Sequence, residues 1–131
     1  MAVNGNYLLD TNIVIALFAG EQSVLDHLKE AHEVYIPSIV IGELYFGAQK
    51  SSQVHKNMKR IETFMASNII LACDAVTAFH YGNVKEQLRQ TGRPIPENDI
   101  WIAAIALQYE SILVSRDEHF LPVQGLTVES W

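Results

Sequence analysis

Four acids stand in stretches of this chain that otherwise have little use for charge. Asp10 ends "NYLLD", Glu43 is the lone charge in "IVIGELYFGA", Asp99 lies in "ENDIWIAAIAL", and Asp117 follows the apolar run of "ILVSRD". An ionised carboxylate in apolar surroundings is unfavourable unless it is compensated. The only basic residue close to any of them in the chain is Arg116. Four carboxylates brought together without bases would repel one another and resist joint ionisation. Hard divalent cations such as Mg²⁺ and Mn²⁺ remove that conflict, because they prefer oxygen ligands. Two such ions about 3.5–4 Å apart can clamp both the attacking and the leaving oxygen of a phosphodiester. The chemistry implied is hydrolysis of a phosphate ester by a metal-activated water.

Each acid also has a local explanation. Asp10 can serve as a helix N-cap, and Asp99 can favour a helix N-terminus. Asp117 fits a turn, and Glu43 can reach the surface along its own stem. The four together, at matching positions along the chain, favour a shared site.

Other chemistries find less support. His27, His32, His55, His80 and His119 form neither an HxH nor an HExxH pattern, so zinc hydrolysis has no motif. His119 is near Asp117 and reads as a polar loop side chain or a substrate contact. No GxSxG and no P-loop lysine motif occurs. A phosphoryl-accepting receiver domain would need paired acids after the first strand and a Lys after the last, and "LTVESW" has none. A haloacid-dehalogenase-type phosphatase would need an Asp where Asn12 stands. Gly42 and Gly47, flanking Glu43, read as sites of close packing.

The elements that must position the acids alternate in type. Residues 6–9 read as a short buried strand, and "TNIVIALF" as a helix capped by Asp10 or Thr11. Residues 21–32 form a more polar helix, "VYI" at 34–36 a strand, and Pro37-Ser38 opens the helix that carries Glu43. A helix from about Ser52 to Ala66 places Val54, Met58, Ile61 and Met65 on its inner face. "NIILA" at 68–72 is strand-like, and Asp74 caps a long helix that Gly92 ends. "ENDIWIAAIALQYE" is apolar almost all round and should be central, with Trp101 in the core. "ILVS" at 112–115 and "LTVES" at 126–130 supply the closing strands. Short strands apolar on both faces, alternating with helices, indicate an α/β domain whose parallel sheet is covered on both sides. In such sheets ligands gather at the C-terminal ends of the strands, where Asp10, Asp99 and Asp117 are expected and Glu43 lies near.

The chain has 131 residues, 49% hydrophobic and 18% charged, which fits one domain with a packed core. Cys73 is alone, so no internal disulfide forms. "MAVNGNYLLD" has no basic start and no long apolar run, so a soluble cytoplasmic protein is expected. The formal charge of −6 does not advertise nucleic-acid binding, but two divalent ions would raise it by four, to −2. The bases are also clustered: Lys50, Lys56, Lys59 and Arg60 in one stretch, Lys85, Arg89 and Arg93 in another. With Arg116, the residues Lys56, Lys59, Arg60, Lys85, Arg89 and Arg93 are simply a solvated surface or, if the chain is a ribonuclease, RNA-contact candidates. Tyr45 and Phe46 pack internally or help form a groove for a partner.

The motifs "LLDTN", "PSIVIGELYFGA", "PIPENDIWIAAIAL" and "LVSRDEHF" followed by "GLTVESW" resemble, in that order and over essentially the whole chain, the PIN-domain family. Within that family they look like the VapC-type toxins of bacterial toxin–antitoxin modules. The resemblance implies one three-layer α/β/α domain over residues 1–131 with a mainly parallel five-stranded sheet. It implies an endoribonuclease dependent on one or two Mg²⁺ or Mn²⁺ ions, cutting transfer or ribosomal RNA. Its metal site and catalytic residues map onto Asp10, Glu43, Asp99 and Asp117, with Asp10 and Asp99 as principal ligands of a first ion. Glu43 and Asp117 complete the side of a second ion. Thr11 and Ser115 match hydroxyl positions that hold the carboxylates, with Glu97 and Asn98 as further polar candidates. The resemblance also implies a cognate antitoxin that wraps the toxin, and a homodimer, possible in a larger assembly, with no membrane partner. The competing expectation is a PIN-like binding or scaffold module without catalysis.

Overall fold

The computed structural model describes residues 6–131. Residues 1–5, the first half of the "MAVNGNYLLD" stretch behind the soluble cytoplasmic expectation, lie outside the described residues. The elements follow in the order β1 (Asn6–Leu9), α1 (Thr11–Phe18), α2 (Gln22–Glu30), β2 (Glu33–Pro37), α3 (Ser38–Lys50) and α4 (Val54–Ala66). Then come β3 (Ile69–Leu71), α5 (Ala75–Thr91), α6 (Glu97–Gln108), β4 (Ile112–Val114), a 3₁₀ turn (Glu118–Phe120) and β5 (Val128–Glu129).

The five strands form one parallel sheet in the order β3-β2-β1-β4-β5. Helices cover both faces, giving three α/β/α layers. Because β1 sits between β2 and β4, the chain winds outward in two directions from the middle of the sheet. The crevice at the C-terminal ends of β1 and β4 is the topological switch point, where open α/β sheets bind ligands. Pairing Leu8 with Leu113 and Leu9 with Val114 brings Asp10 and Ser115, the next residue of each strand, side by side. The main chain continues the ladder there, with Asp10 N–H donating to the Val114 carbonyl at 2.9 Å.

The core confirms that the central strands are buried on both faces: Leu8, Leu9, Ile36, Leu113 and Val114 are all inaccessible. Helix α6 is central, with Ile100 and every residue from Ile102 to Ala106 buried. Its alanines at 103, 104 and 106 carry no side chain beyond Cβ and let neighbouring elements approach closely. Trp101 is half-buried rather than core, stacked on Tyr81 at 4.1 Å between ring centroids. Asp74 caps α5 as expected, in a reciprocal pair with Thr77, and Gly92 ends that helix with φ +65°.

Helices and strands are shorter than expected at several ends: α2 spans 22–30, α4 starts at Val54, and β5 keeps two residues. On α4 the buried residues are Ile61 and Phe64, while Met58 and Met65 are half-buried and Val54 is 37% exposed. Phe64 takes the inward place because its ring meets Phe18 edge-on at 5.3 Å. Among the described residues no helix is long and apolar enough to cross a membrane.

Candidate active site

Asp10 caps α1 immediately after β1 and is only 5% exposed. Its Oδ1 accepts the Thr11 N–H at 2.8 Å and its Oδ2 accepts the Ser115 hydroxyl at 2.7 Å. Burial pushes its carboxyl above the ordinary range, and the charges of Asp99 and Glu43 push the same way. The bonds from Ser115 and Thr11 oppose that shift and hold the ionised form.

Asp99 is the third residue of α6, half-buried at the mouth of the same crevice. Burial raises its carboxyl too, helped by Asp117 and Glu43, while the His119 ring opposes the rise. Glu43, the sixth residue of α3, takes the Thr11 hydroxyl on Oε1 at 2.6 Å and meets Asn98 Nδ2 at 3.5 Å on Oε2. Asp117 follows β4 and opens the 3₁₀ turn, its Oδ1 accepting the His119 N–H at 2.9 Å. The Asp117 N–H donates to Ser115 Oγ at 3.0 Å, so Ser115 touches two of the four acidic residues. The structure therefore brings Asp10, Glu43, Asp99 and Asp117 to one crevice. Among the described residues no Lys or Arg forms an ion pair with any of them.

Thr11, Ser115 and Asn98 stand where hydroxyl and amide support was expected. Glu97 does not. Its carboxylate turns away to Tyr81 OH at 2.6 Å and Lys85 Nζ at 2.7 Å, which hold it below the usual carboxylate range. That pairing also occupies Lys85. Arg89 is spent on Glu86, with both bonds at 2.7 Å, and Arg116 grips Glu21 and the Trp131 carbonyl. In the structure each of these three bases is paired with a neighbouring acid at the surface. Arg93 is exposed just past α5. Lys56, Lys59 and Arg60 are exposed on α4 and line a groove of about 770 Å³ against Leu17 and Phe18. Tyr45 packs inward with its hydroxyl 3.6 Å from Met65 Sδ, whereas Phe46 is exposed with Lys50 over its ring.

Two site residues were not legible beforehand as such. Asn12 ties α1 to the β4 loop, accepting the Arg116 N–H at 3.2 Å and reaching Ser115 Oγ at 3.4 Å. His119, weighed as a loop side chain or a substrate contact but not as a partner of the acids, places Nδ1 3.0 Å from Asp99 Oδ2 and 3.1 Å from Asp117 Oδ2. The Asp-x-His spacing of 117 and 119 was the available signal. A cleft of about 410 Å³ opens over Glu43, Asn98, Asp99, Asp117 and His119. Glu43 also borders an apolar groove of about 410 Å³ lined by Ile15, Phe18, Leu44, Ala48, Arg60 and Ile61.

The PIN domain model matches residues 7–126. Ribonuclease VapC2 of Haemophilus influenzae is 39% identical over 128 residues, spanning 95% of this chain and 97% of the relative. The tRNA(fMet)-specific endonuclease VapC of Shigella flexneri is 31% identical over 128 residues, with the same coverage. Among solved structures, VapBC2 from Rickettsia felis, bound to a DNA fragment from its promoter, superposes with a TM-score of 0.87 at 30% identity. That match covers 95% of this chain and 98% of the other. The motif order, the β3-β2-β1-β4-β5 sheet with acids at its switch point, and these likenesses agree: the chain belongs to the PIN domain family, in its VapC branch.

Proposed function

We propose that the chain is a divalent-metal-dependent endoribonuclease and the toxin of a toxin–antitoxin pair. The observation that carries this reading is the acidic quartet itself: four carboxylates share one crevice, two are pushed toward protonation, and no Lys or Arg among the described residues neutralises them. Such a donor set fits a hard divalent ion. Asp10, Asp99, Glu43 and Asp117 are the residues that would hold Mg²⁺ or Mn²⁺. Such ions, when bound, polarise the phosphate and acidify water.

The chain's own groups prepare that site. Ser115 and the Thr11 N–H favour the charged form of Asp10 against its burial and fix both of its oxygens. The Thr11 hydroxyl aims Glu43 from the other side, so one residue of α1 supports two of the acids. The Asn98 amide, beside Glu43 at the open edge, is a donor within reach of a phosphate oxygen.

The VapC relatives are ribonucleases by name, which supports RNA as substrate, and the Shigella flexneri relative's name points to transfer RNA within that class. The solved VapBC relatives support an antitoxin partner. Its seat is the apolar groove beside Glu43, where Ile15 is 55% exposed. The basic face of Lys56, Lys59 and Arg60 is the remaining candidate RNA contact, and a cytoplasmic homodimer completes the reading.

The test is incubation of the purified chain, freed of any partner, with total cellular RNA and Mg²⁺ or Mn²⁺. Discrete cuts are expected, lost in chelator and in Asp10→Asn. Cleavage that persists in excess chelator refutes the metal chemistry. Absence of cleavage under either ion favours a binding module.

A further inference from the structure

The four acids and their supports leave one group at the crevice without a role. His119 is held by a turn whose own N–H is fixed on Asp117 Oδ1 at 2.9 Å. Its Nδ1 faces two carboxylate oxygens at once, 3.0 Å from Asp99 Oδ2 and 3.1 Å from Asp117 Oδ2. A neutral ring has at most one proton on that nitrogen and can satisfy only one of the two acceptors with it. The spacing is that of an ordinary hydrogen bond or ion pair, and it also suits a metal ion. Neighbouring corners of an octahedron with bonds of about 2.1 Å are about 3.0 Å apart, and opposite corners about 4.2 Å. Both nitrogen–oxygen separations match an octahedral edge, and the three ligand atoms all lie within 4.8 Å of one another.

We propose that His119 Nδ1 is a third protein donor, with Asp99 and Asp117, to a divalent ion on that side of the site, and that it sets the ion preferred. This rests on the metal-dependent reading above and refines it. Oxygen-only sites suit Mg²⁺, whereas an imidazole donor shifts preference toward transition ions. The side expected to be completed by Glu43 and Asp117 alone is then a mixed nitrogen–oxygen site that selects Mn²⁺ over Mg²⁺. Glu43 stays with Thr11 and Asn98 on the neighbouring wall. The His119 side chain is 54% exposed, so replacing it removes a donor without opening the core.

The experiment measures Mn²⁺ binding to the full chain by electron paramagnetic resonance, and Mg²⁺ binding by competition, in wild type, His119→Ala and His119→Gln. Nitrogen hyperfine coupling to bound Mn²⁺, read by pulsed resonance, is expected in wild type and absent in His119→Ala. Mn²⁺ affinity is expected to fall about 10- to 100-fold in both variants, while Mg²⁺ affinity changes less than about threefold. Thermal melts in chelator confirm that the variants are folded. Wild-type Mn²⁺ without nitrogen coupling overturns the proposal. So does equal loss of the two ions, or a Gln variant that keeps full Mn²⁺ affinity, since a ring that only orients the acids by hydrogen bonding is mimicked by Gln. RNA cleavage by wild type is followed separately. Chelator-resistant cleavage would overturn the nuclease reading, whatever the resonance shows. Metal-dependent cleavage without nitrogen coupling would overturn the role of His119 alone.

Discussion

Ser115→Ala isolates the support beneath the buried acid. The hydroxyl lost is buried, donates to Asp10 Oδ2 at 2.7 Å and receives the Asp117 N–H at 3.0 Å. A hydrogen bond to a charged group contributes about 1.5–3 kcal/mol, and its loss makes ionised Asp10 harder to maintain. Asp10's carboxyl, already raised chiefly by burial, rises further because the Ser115 bond no longer opposes the shift. Supports of this kind typically change metal affinity by about 10- to 100-fold, which is about 1.4–2.8 kcal/mol. The effect is separable from simple destabilisation. Ion binding stabilises the fold by RT ln(1 + [L]/Kd), so with Mn²⁺ well above both dissociation constants the ion-induced stabilisation shrinks by that same amount. In a domain of this size each kcal/mol moves the midpoint by about 3–5 °C, so the Mn²⁺-induced rise should be smaller by about 4–14 °C. Differential scanning calorimetry in chelator and in Mn²⁺ measures both midpoints, and any general loss of stability cancels between them. An ion-induced rise equal to that of wild type would refute the reasoning, because Ser115 would then be packing and nothing more.

Thr11→Val removes the 2.6 Å bond to Glu43, and single-turnover RNA cleavage should slow about tenfold, with Thr11→Ser recovering most of it. In chelator, Asp10→Asn should stabilise the protein at neutral pH by about 1–3 kcal/mol. Because Asp10's folded-state value is raised, its favourable contribution is complete below the ordinary 3.8 and lost as pH rises through the folded value; the gain from Asn should therefore fade in urea melts as pH is lowered toward 3.8. Arg116→Gln should lower the thermal midpoint and speed hydrogen exchange around Trp131, because it unfastens Glu21 and the Trp131 carbonyl, while the salt dependence of RNA binding stays unchanged. Lys56→Gln with Lys59→Gln should reduce the slope of log affinity against log salt by about 1.4 if the α4 groove carries single-stranded RNA, and by nothing if that face is only solvated.

Most of the fold was legible because its signals are local. The doubly apolar strands, the Asp74–Thr77 cap, the left-handed Gly92 and the all-round apolar α6 each express a short-range rule, and the structure follows them. The acids were legible for a related reason: charge set in apolar sequence is conspicuous without any knowledge of partners. What sequence did not carry was pairing. Whether Lys85 is free or bound to Glu97 depends on α5 lying against the start of α6, twelve residues on. Arg116 likewise finds Glu21 across 95 residues. His119 reads as a loop residue until the turn after β4 folds it back over the first turn of α6. On α4 the helical phase was legible, with Ile61 buried and Met58 and Met65 against the core, and only Val54 departs from it, because it begins the helix at an edge the core does not reach.

The bases near the crevice explain why its charge persists. Arg116 adjoins Asp117 in the chain and Lys85 lies opposite the start of α6, yet each is tied to an acid outside the quartet, Glu21 and Glu97. Asp10 and Asp99 sit with their carboxyls raised by burial and by neighbouring acids of the quartet, Asp99 and Glu43 acting on Asp10 and Asp117 and Glu43 on Asp99, so the ligand-free fold is less stable for keeping them ionised. A charge deficit that the chain does not fill from its own bases attracts cations from outside. Under the proposed function there are two sources: divalent ions and any cationic group carried by the partner proposed for the groove that Glu43 borders. Both would draw on the same carboxylate oxygens, so occupancy by one weakens the other by an equal factor, as linkage requires. The acids that would drive hydrolysis are therefore also the lever by which a partner could silence it.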